Sequence, residues 1–411
     1  LLGNDSNSSS FANRFEGCKQ KPRIMSLGLE VAILPGIAIA RRIDKDGDLK
    51  RHLLLMPALG LLVCLGISGA CFLLGWGLST LTSLLILTNI IAVIAIRIEL
   101  EPVHHTKIIQ RSPWFWIFTI IAFVMAVTPL SYGSPMGVDW IGFSVLADSI
   151  SRTGGFILSD PSIGTWTYPP AFPMLAAWMG GEPHISVFIL GTMCFAALLL
   201  GISAVGEKMG CGHWTIMAML LAPALFAKNL DSGYPTVASQ LGLIVILTMF
   251  STKLRWEIVA ITAITVAMIH PTGLIYLTTL VSAKLLVSKS ESISLTEKIQ
   301  YSFLALITLF VILILAPAFG GEAVFAEYGW QGGTPMAIYA GLLLPLGIWS
   351  AWTLRNDKPA RILIVWIGLN WALSAIHLFE GLEGFTIITM MSYALYSMSA
   401  YDIIVIMAVS Y

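Results

Sequence analysis

SYGSPMGVDWIGFSVLADSISRTGGFILSDPSIGTWTYPP, residues Ser131–Pro170, lies between two strongly apolar segments and is the longest polar-leaning interval after Arg111. Gly and Pro punctuate both of its ends, where they disfavour regular structure. Its middle, Asp139 to Ser151, has no Gly/Pro cluster and is expected to form a short helix. What flanks the interval decides the fold. The runs Leu53–Trp76, Leu78–Ile96, Trp114–Tyr132 and Ile185–Val205 each reach the roughly 20 apolar residues that cross the hydrocarbon of a bilayer. Only 11% of the 411 residues are charged and 57% are hydrophobic, against about 25% charged in a soluble domain. These features predict an all-α, polytopic transmembrane helical bundle of about 12–13 spans, in contact with lipid on its outer faces.

The interval divides the chain. Residues 1–23 form a polar tail, 24–112 a set of N-terminal transmembrane helices, 113–320 a core that includes the loop 133–170, and 321–411 a C-terminal set of helices. Spans are placed at 53–75, 77–97, 114–132, 185–206, 213–228, 235–251, 256–269, 272–287, 299–317, 335–354, 362–378 and 385–408. Ile24–Ala40 is a marginal span, broken at Pro35-Gly36. Ala171–Met179 is a short stretch expected to dip into the membrane interface. The sequence begins without Met and stops at Tyr411 directly after an apolar run, as a fragment would. The five cysteines include no CxxC pair and read as small core residues.

Loop charge orients the bundle. Seventeen Lys and Arg residues, from Arg41 to Arg361, fall in loops on one side; only Arg152 and Lys228 fall on the other, and the remaining four lie in the tail. That asymmetry puts the larger set in the cytoplasm and the Ser131–Pro170 loop outside a cell membrane that the chain crosses many times. The external loops collect carboxylates, among them Asp139, Asp148, Asp160, Glu182 and Asp231. An acidic face of this kind suits a metal ion, a general base or hydroxyl-rich ligands, and equally a solvated rim. A net charge of zero and the lack of a basic tract argue against nucleic acid as a partner.

Within the loop helix, successive side chains turn about 100°. Asp139 and Asp148, nine apart, therefore project on opposite faces and cannot form a carboxylate dyad. Asp148 and Arg152 are spaced for an ordinary i,i+4 ion pair. Ile141, Val145 and Ile150 are read as an apolar stripe lying along the membrane surface. Asp139 is either the cap of this helix or a working carboxylate at the membrane boundary. His270-Pro271 marks a helix break, Tyr168 is an aromatic suited to stacking, and Asp231 precedes a glycine turn.

GVDWIGFSVLADSISRTGG followed by TYPPAFPMLAAW resembles the first long external loop of the GT-C fold membrane glycosyltransferases. It supplies an acid, an amphipathic helix, a Gly-terminated turn and a Tyr-Pro segment leading into the membrane. LDSGYPTVASQLGLIVIL is similar to a later segment of that superfamily, in which a Pro-containing turn opens a span. MIHPTGLIYL resembles a His-Pro break of its larger prokaryotic members, and ILPGIAIARRID a Pro-Gly N-terminal span. The resemblance covers roughly Ile33 to Phe319. One departure is Trp140, where many members carry a second acid beside the first.

The resemblance implies an enzyme that moves a sugar from a polyprenyl-phosphate donor to an acceptor hydroxyl on a glycan, lipid or protein. Asp139 would be the general base. Lys228, Arg152, His270, Tyr168 and Asp231 would be the substrate-binding side chains, Lys228 facing the lipid phosphate. It leaves open a divalent metal held by Asp139 and Asp231. The competing reading is a polytopic transporter or a non-catalytic membrane subunit. No internal repeat supports the first of these, and most ionisable residues lie in loops rather than at mid-membrane.

Overall fold

The computed structural model describes residues 27–98, 113–137, 139–155, 168–221, 229–230, 232–250, 254–287 and 343–374, together with positions 226, 296 and 299. About 85% of what it describes is helical, and no strand appears among the described residues. Four helices are long and apolar enough to cross a membrane: α2 (Leu49–Leu73), α3 (Leu78–Ile98), α4 (Pro113–Val127, extended by a 3₁₀ turn to Tyr132) and α7 (Pro183–Lys208). The chain is a helical membrane protein. Shorter helices complete it: α1 (Leu27–Ile43), α5 (Asp139–Thr153), α6 (Ala171–Met179), α8 (Gly212–Leu220), α9 (Tyr234–Ser239), α10 (Leu241–Thr248), α11 (Trp256–Ile269), α12 (Pro271–Val287), α13 (Leu343–Thr353) and α14 (Lys358–Ser374). The expected spans at 299–317 and 385–408 lie outside the described residues.

Helices alternate in direction, and their polar ends sort accordingly. Lys208 at the foot of α7 donates to the Thr248 carbonyl at the foot of α10, and Lys284 near the foot of α12 donates to the Met249 and Phe250 carbonyls. These contacts define a cation-rich end. Asp139, Tyr168, Glu182, His184 and His270 lie at the opposite, acidic end.

Pro35-Gly36 does not break the first helix. Pro35 lies inside a continuous α1. A proline in a helix interior frees the carbonyl four residues earlier, here that of Val31. Asn89 of α3 donates its side-chain amide to that carbonyl at 2.9 Å. Gly36 then lets α2 approach closely, since a Cβ there would collide with the Met56 carbonyl, and a Cβ on Gly60 with that of Ala32. Close approach through small residues is how helices associate in lipid, where no hydrophobic drive separates one apolar surface from another. A local break signal is thus cancelled by a partner on another helix.

The acidic end is stepped. At about 1.5 Å per residue, α7 is about 39 Å long, while α11 is about 21 Å and the α9–α10 pair about 22 Å. All start from the same cation-rich end, so the tops of α9 and α11 fall well short of the top of α7. At the top of α11 the chain turns back: His270 is extended (φ −164°, ψ 134°) and Pro271 opens α12. The His-Pro element is therefore the apex of a helical hairpin. Pro271 supports it, having no N–H to satisfy at the first helical position.

Into the step packs α6. Its residues Ala171 to Ala176 are all buried, so it is an internal wedge rather than a surface helix. Ser68 of α2 donates to the Ala171 carbonyl at 2.9 Å, and the Trp178 indole donates to Thr82 of α3 at 2.9 Å. These bonds fix the wedge at both ends.

Candidate functional site

The described part of α5 starts at Asp139, and the acid lies in the first turn of the helix. Its phase is that of Phe143, Leu146 and Ile150, at i+4, i+7 and i+11, and all three of these are buried. Asp139 thus stands at the open end of the inward-facing stripe, and it is exposed. The expected apolar stripe is not formed as a unit. Ile141 and Val145 are exposed at 50% and 40%, whereas Ile150 is 1% exposed. The reason is the arithmetic that separates Asp139 from Asp148: nine residues at 100° is half a turn, and Ile141 and Ile150 are also nine apart.

Below the acid runs a train of rings. Phe143 meets Tyr168 with centroids 5.2 Å apart, and Tyr168 meets His270 at 6.0 Å. Phe143 also meets Phe172 edge-on at 6.0 Å, and Phe172 stacks on Tyr234 at 6.4 Å with the planes 24° apart. Five rings from the loop helix, the Tyr-Pro segment, α6, α9 and the hairpin apex therefore join in one cluster. Aromatic contacts at these separations are each worth about 0.5–1.5 kcal/mol beyond area burial. Beside it, Trp140 lies 6.2 Å from the His184 ring at the start of α7, and its indole donates to the Gly137 carbonyl at 3.2 Å.

Of the expected site residues, Tyr168 and His270 are in ring contact, and Asp139 lies one helical turn before Phe143, which meets Tyr168. Arg152 lies apart from them. It pairs with Asp148 one turn back, as the i,i+4 spacing predicts, and thirteen residues of helix place it about 20 Å from Asp139. Lys228 and Asp231 lie outside the described residues, although Ser232, next to Asp231, donates to the Met136 carbonyl at 2.5 Å. That bond brings the glycine turn to the loop that carries Asp139. For a metal, Asp139 supplies one exposed carboxylate. Among the described residues no three His, Cys, Asp or Glu side chains converge.

Phe143, Phe172 and Tyr234 carry no distinct signal in the sequence. They read as ordinary apolar residues of a membrane chain, with only Pro235 beside Tyr234 as a local cue. No known family, curated protein or solved structure matches the chain.

A second polar centre lies at the cation-rich end. Asp44, wholly buried, accepts from Arg51 Nε at 2.5 Å and Nη2 at 3.0 Å, and from Lys208 Nζ at 2.8 Å. His52 donates its Nε2–H to the Asp44 carbonyl at 2.8 Å. Burial alone would raise the Asp44 carboxyl pKa. The hydrogen bonds from Arg51 and Lys208 outweigh it and hold that pKa below the ordinary carboxylate value. Gly47 lets the loop close over this centre, since a Cβ there would collide with the Asp44 carboxylate. The centre joins the α1–α2 loop to α7 and, through Lys208, to α10. Its role is to hold helices together.

Proposed function

We propose that the chain is an integral membrane glycosyltransferase, moving a sugar from a polyprenyl-phosphate donor to an acceptor hydroxyl on the external face, with Asp139 as general base. The observation that carries the reading is the placement of Asp139. An exposed carboxylate ends the inward stripe of a loop helix, directly above a cluster of rings that includes Tyr168 and His270. A base must be open to its substrate and held on a rigid element, and Asp139 meets both conditions.

The step balances simply. Asp139 takes the acceptor hydroxyl proton as the acceptor oxygen bonds to the anomeric carbon. The bond from that carbon to the phosphate oxygen breaks, and the lipid phosphate leaves with the electron pair. A single displacement inverts the anomeric configuration. The ring cluster offers apolar faces to a sugar, and His270 can donate to a phosphate or sugar oxygen. Charge on the leaving phosphate needs a cation nearby, and Lys228 is the residue the sequence offers for it. The exposed apolar faces of α3 and α4, with Ile86, Ile90, Ile120 and Val124, suit contact with a lipid tail.

The test is incubation of the purified protein with polyprenyl-phospho-sugars and a carbohydrate, lipid or peptide acceptor. The expected result is release of free polyprenyl phosphate, lost in Asp139→Asn by at least about 10²-fold, the range general-base help supplies. No release from any donor sinks the reading, and full release by Asp139→Asn removes the acid from it.

A further inference from the structure

Ser232 is the one non-glycine residue with a positive φ, +60°, among the described residues. Side chains rarely adopt that region, and glycine adopts it at no steric cost. The chain nonetheless places serine here and glycine at the next position, where φ is −70°. A residue kept against its backbone preference points to use of its side chain.

The surroundings say what that use is. Ser232 N donates to the Asn229 carbonyl at 3.2 Å, and Tyr234 N donates to the Ser232 carbonyl at 2.7 Å, closing an inverse γ-turn around Gly233. The reversal drops the Tyr234 ring onto α7, where a Cβ on Gly191 would collide with it, and beneath the Phe172 ring. Ser232 is thus anchored from below in the packed core and is itself fully buried. Above it, the hydroxyl donates to the Met136 carbonyl at 2.5 Å. The turn so gripped is otherwise open: Gly133, Ser134, Met136 and Gly137 are exposed, and only Pro135 is buried. The bond from Trp140 to the Gly137 carbonyl is local and travels with the turn.

We infer that Ser232 is a positioning residue for the acid. Its hydroxyl ties the turn before α5 to the Tyr234 anchor and so sets where α5 begins, and with it the Asp139 carboxylate three residues beyond Met136. The tether stands on geometry alone; its kinetic consequence rests on the glycosyltransferase reading. A buried serine satisfying itself on the nearest carbonyl is the plain alternative, and it predicts no change at Asp139 when the hydroxyl goes.

The experiment compares Ser232→Gly and Ser232→Ala with the full-length wild type. Ser232→Gly removes the hydroxyl while easing the backbone, so it keeps the comparison valid if Ser232→Ala folds poorly. Amide hydrogen exchange is followed at Phe143 to Leu146, whose bonds close the first turns of α5, and within α7 as a control. Exchange in α5 should quicken at least about tenfold in both variants with α7 unchanged. Transfer from a polyprenyl-phospho-sugar should lose about tenfold or more in kcat with KM within about twofold, as expected when a group is misplaced but binding surfaces persist. Unchanged exchange in Ser232→Gly overturns the inference. So does faster exchange with undiminished kcat. If exchange quickens but the wild type transfers no sugar at all, the tether holds and the glycosyltransferase reading is what falls.

Discussion

The rings of Tyr168 and His270 lie with centroids 6.0 Å apart, one on the segment leaving the acid-bearing loop and the other at the apex of the α11–α12 hairpin. The hairpin is short enough for its apex to reach only the level of the Tyr-Pro segment. Tyr168→Ala and His270→Ala should therefore each cut transfer at least about tenfold, since each removes one wall of the same surface. Tyr168→Phe should keep most of the activity, because the ring is what packs. Release of polyprenyl phosphate from matched amounts of folded protein reads all three, and equal rates for Tyr168→Ala and wild type would separate the ring cluster from the chemistry.

Arg152 supplies the contrasting case. Its partner Asp148 is on its own helix, its side chain is 67% exposed, and the far end of α5 separates it from Asp139. Exposed i,i+4 pairs are worth about 0.3–0.5 kcal/mol. Arg152→Ala is expected to shift unfolding by no more than that and to leave transfer within about twofold. A large loss of transfer would mean that Arg152 reaches substrate after all.

What could be read from the chain beforehand was whatever is written locally. The spans stand out because their apolar runs are long. The Asp148–Arg152 pair and the His270-Pro271 discontinuity are fixed by spacing and by proline chemistry. The helix that carries Asp139 is legible because its stretch holds no Gly/Pro cluster. What failed was non-local or misphased. Pro35-Gly36 reads as a break until Asn89, 58 residues from Val31, is known to satisfy the orphan carbonyl. Ile150 reads with Ile141 only if the helical angle is neglected. Asp44 carries no local signal, because nothing near it announces that Lys208 will meet it from another helix. Ser232 carried no sequence signal: its role comes from a backbone angle and a carbonyl in a distant loop.

The Asn89 bond is directly testable. Asn89→Leu keeps the side-chain size but leaves the part-buried Val31 carbonyl without its side-chain donor, which costs about 1 kcal/mol. Pro35→Ala restores a backbone N–H that can serve the same carbonyl. Thermal unfolding in detergent should show Asn89→Leu destabilised and the double variant Pro35→Ala/Asn89→Leu substantially recovered, a coupling of about 1 kcal/mol. Simple additivity of the two changes would show that Asn89 acts elsewhere.

Acid should act on the protein through Asp44. Its folded pKa is depressed by Arg51 and Lys208 despite burial, so the carboxylate binds protons less readily folded than unfolded. A depressed carboxyl contributes stability that is fully present above its unfolded value, about 3.9, and is lost as pH falls through the folded value. Asp44→Asn removes that contribution and leaves Arg51 and Lys208, 14% and 13% exposed, without their anionic partner. Breaking such a pair from one side costs about 3–5 kcal/mol. The expected result is a large loss for Asp44→Asn between pH 5 and 8 that shrinks as pH falls below the unfolded carboxyl value, where the unfolded chain takes up the proton and the folded acid still resists it. Adding Lys208→Met to Asp44→Asn should recover part of the loss, because one stranded charge is gone. Unfolding curves for the three proteins across that pH range check both statements. A gap between wild type and Asp44→Asn that stays constant down to pH 3 would show that packing, not charge, holds this end of the bundle.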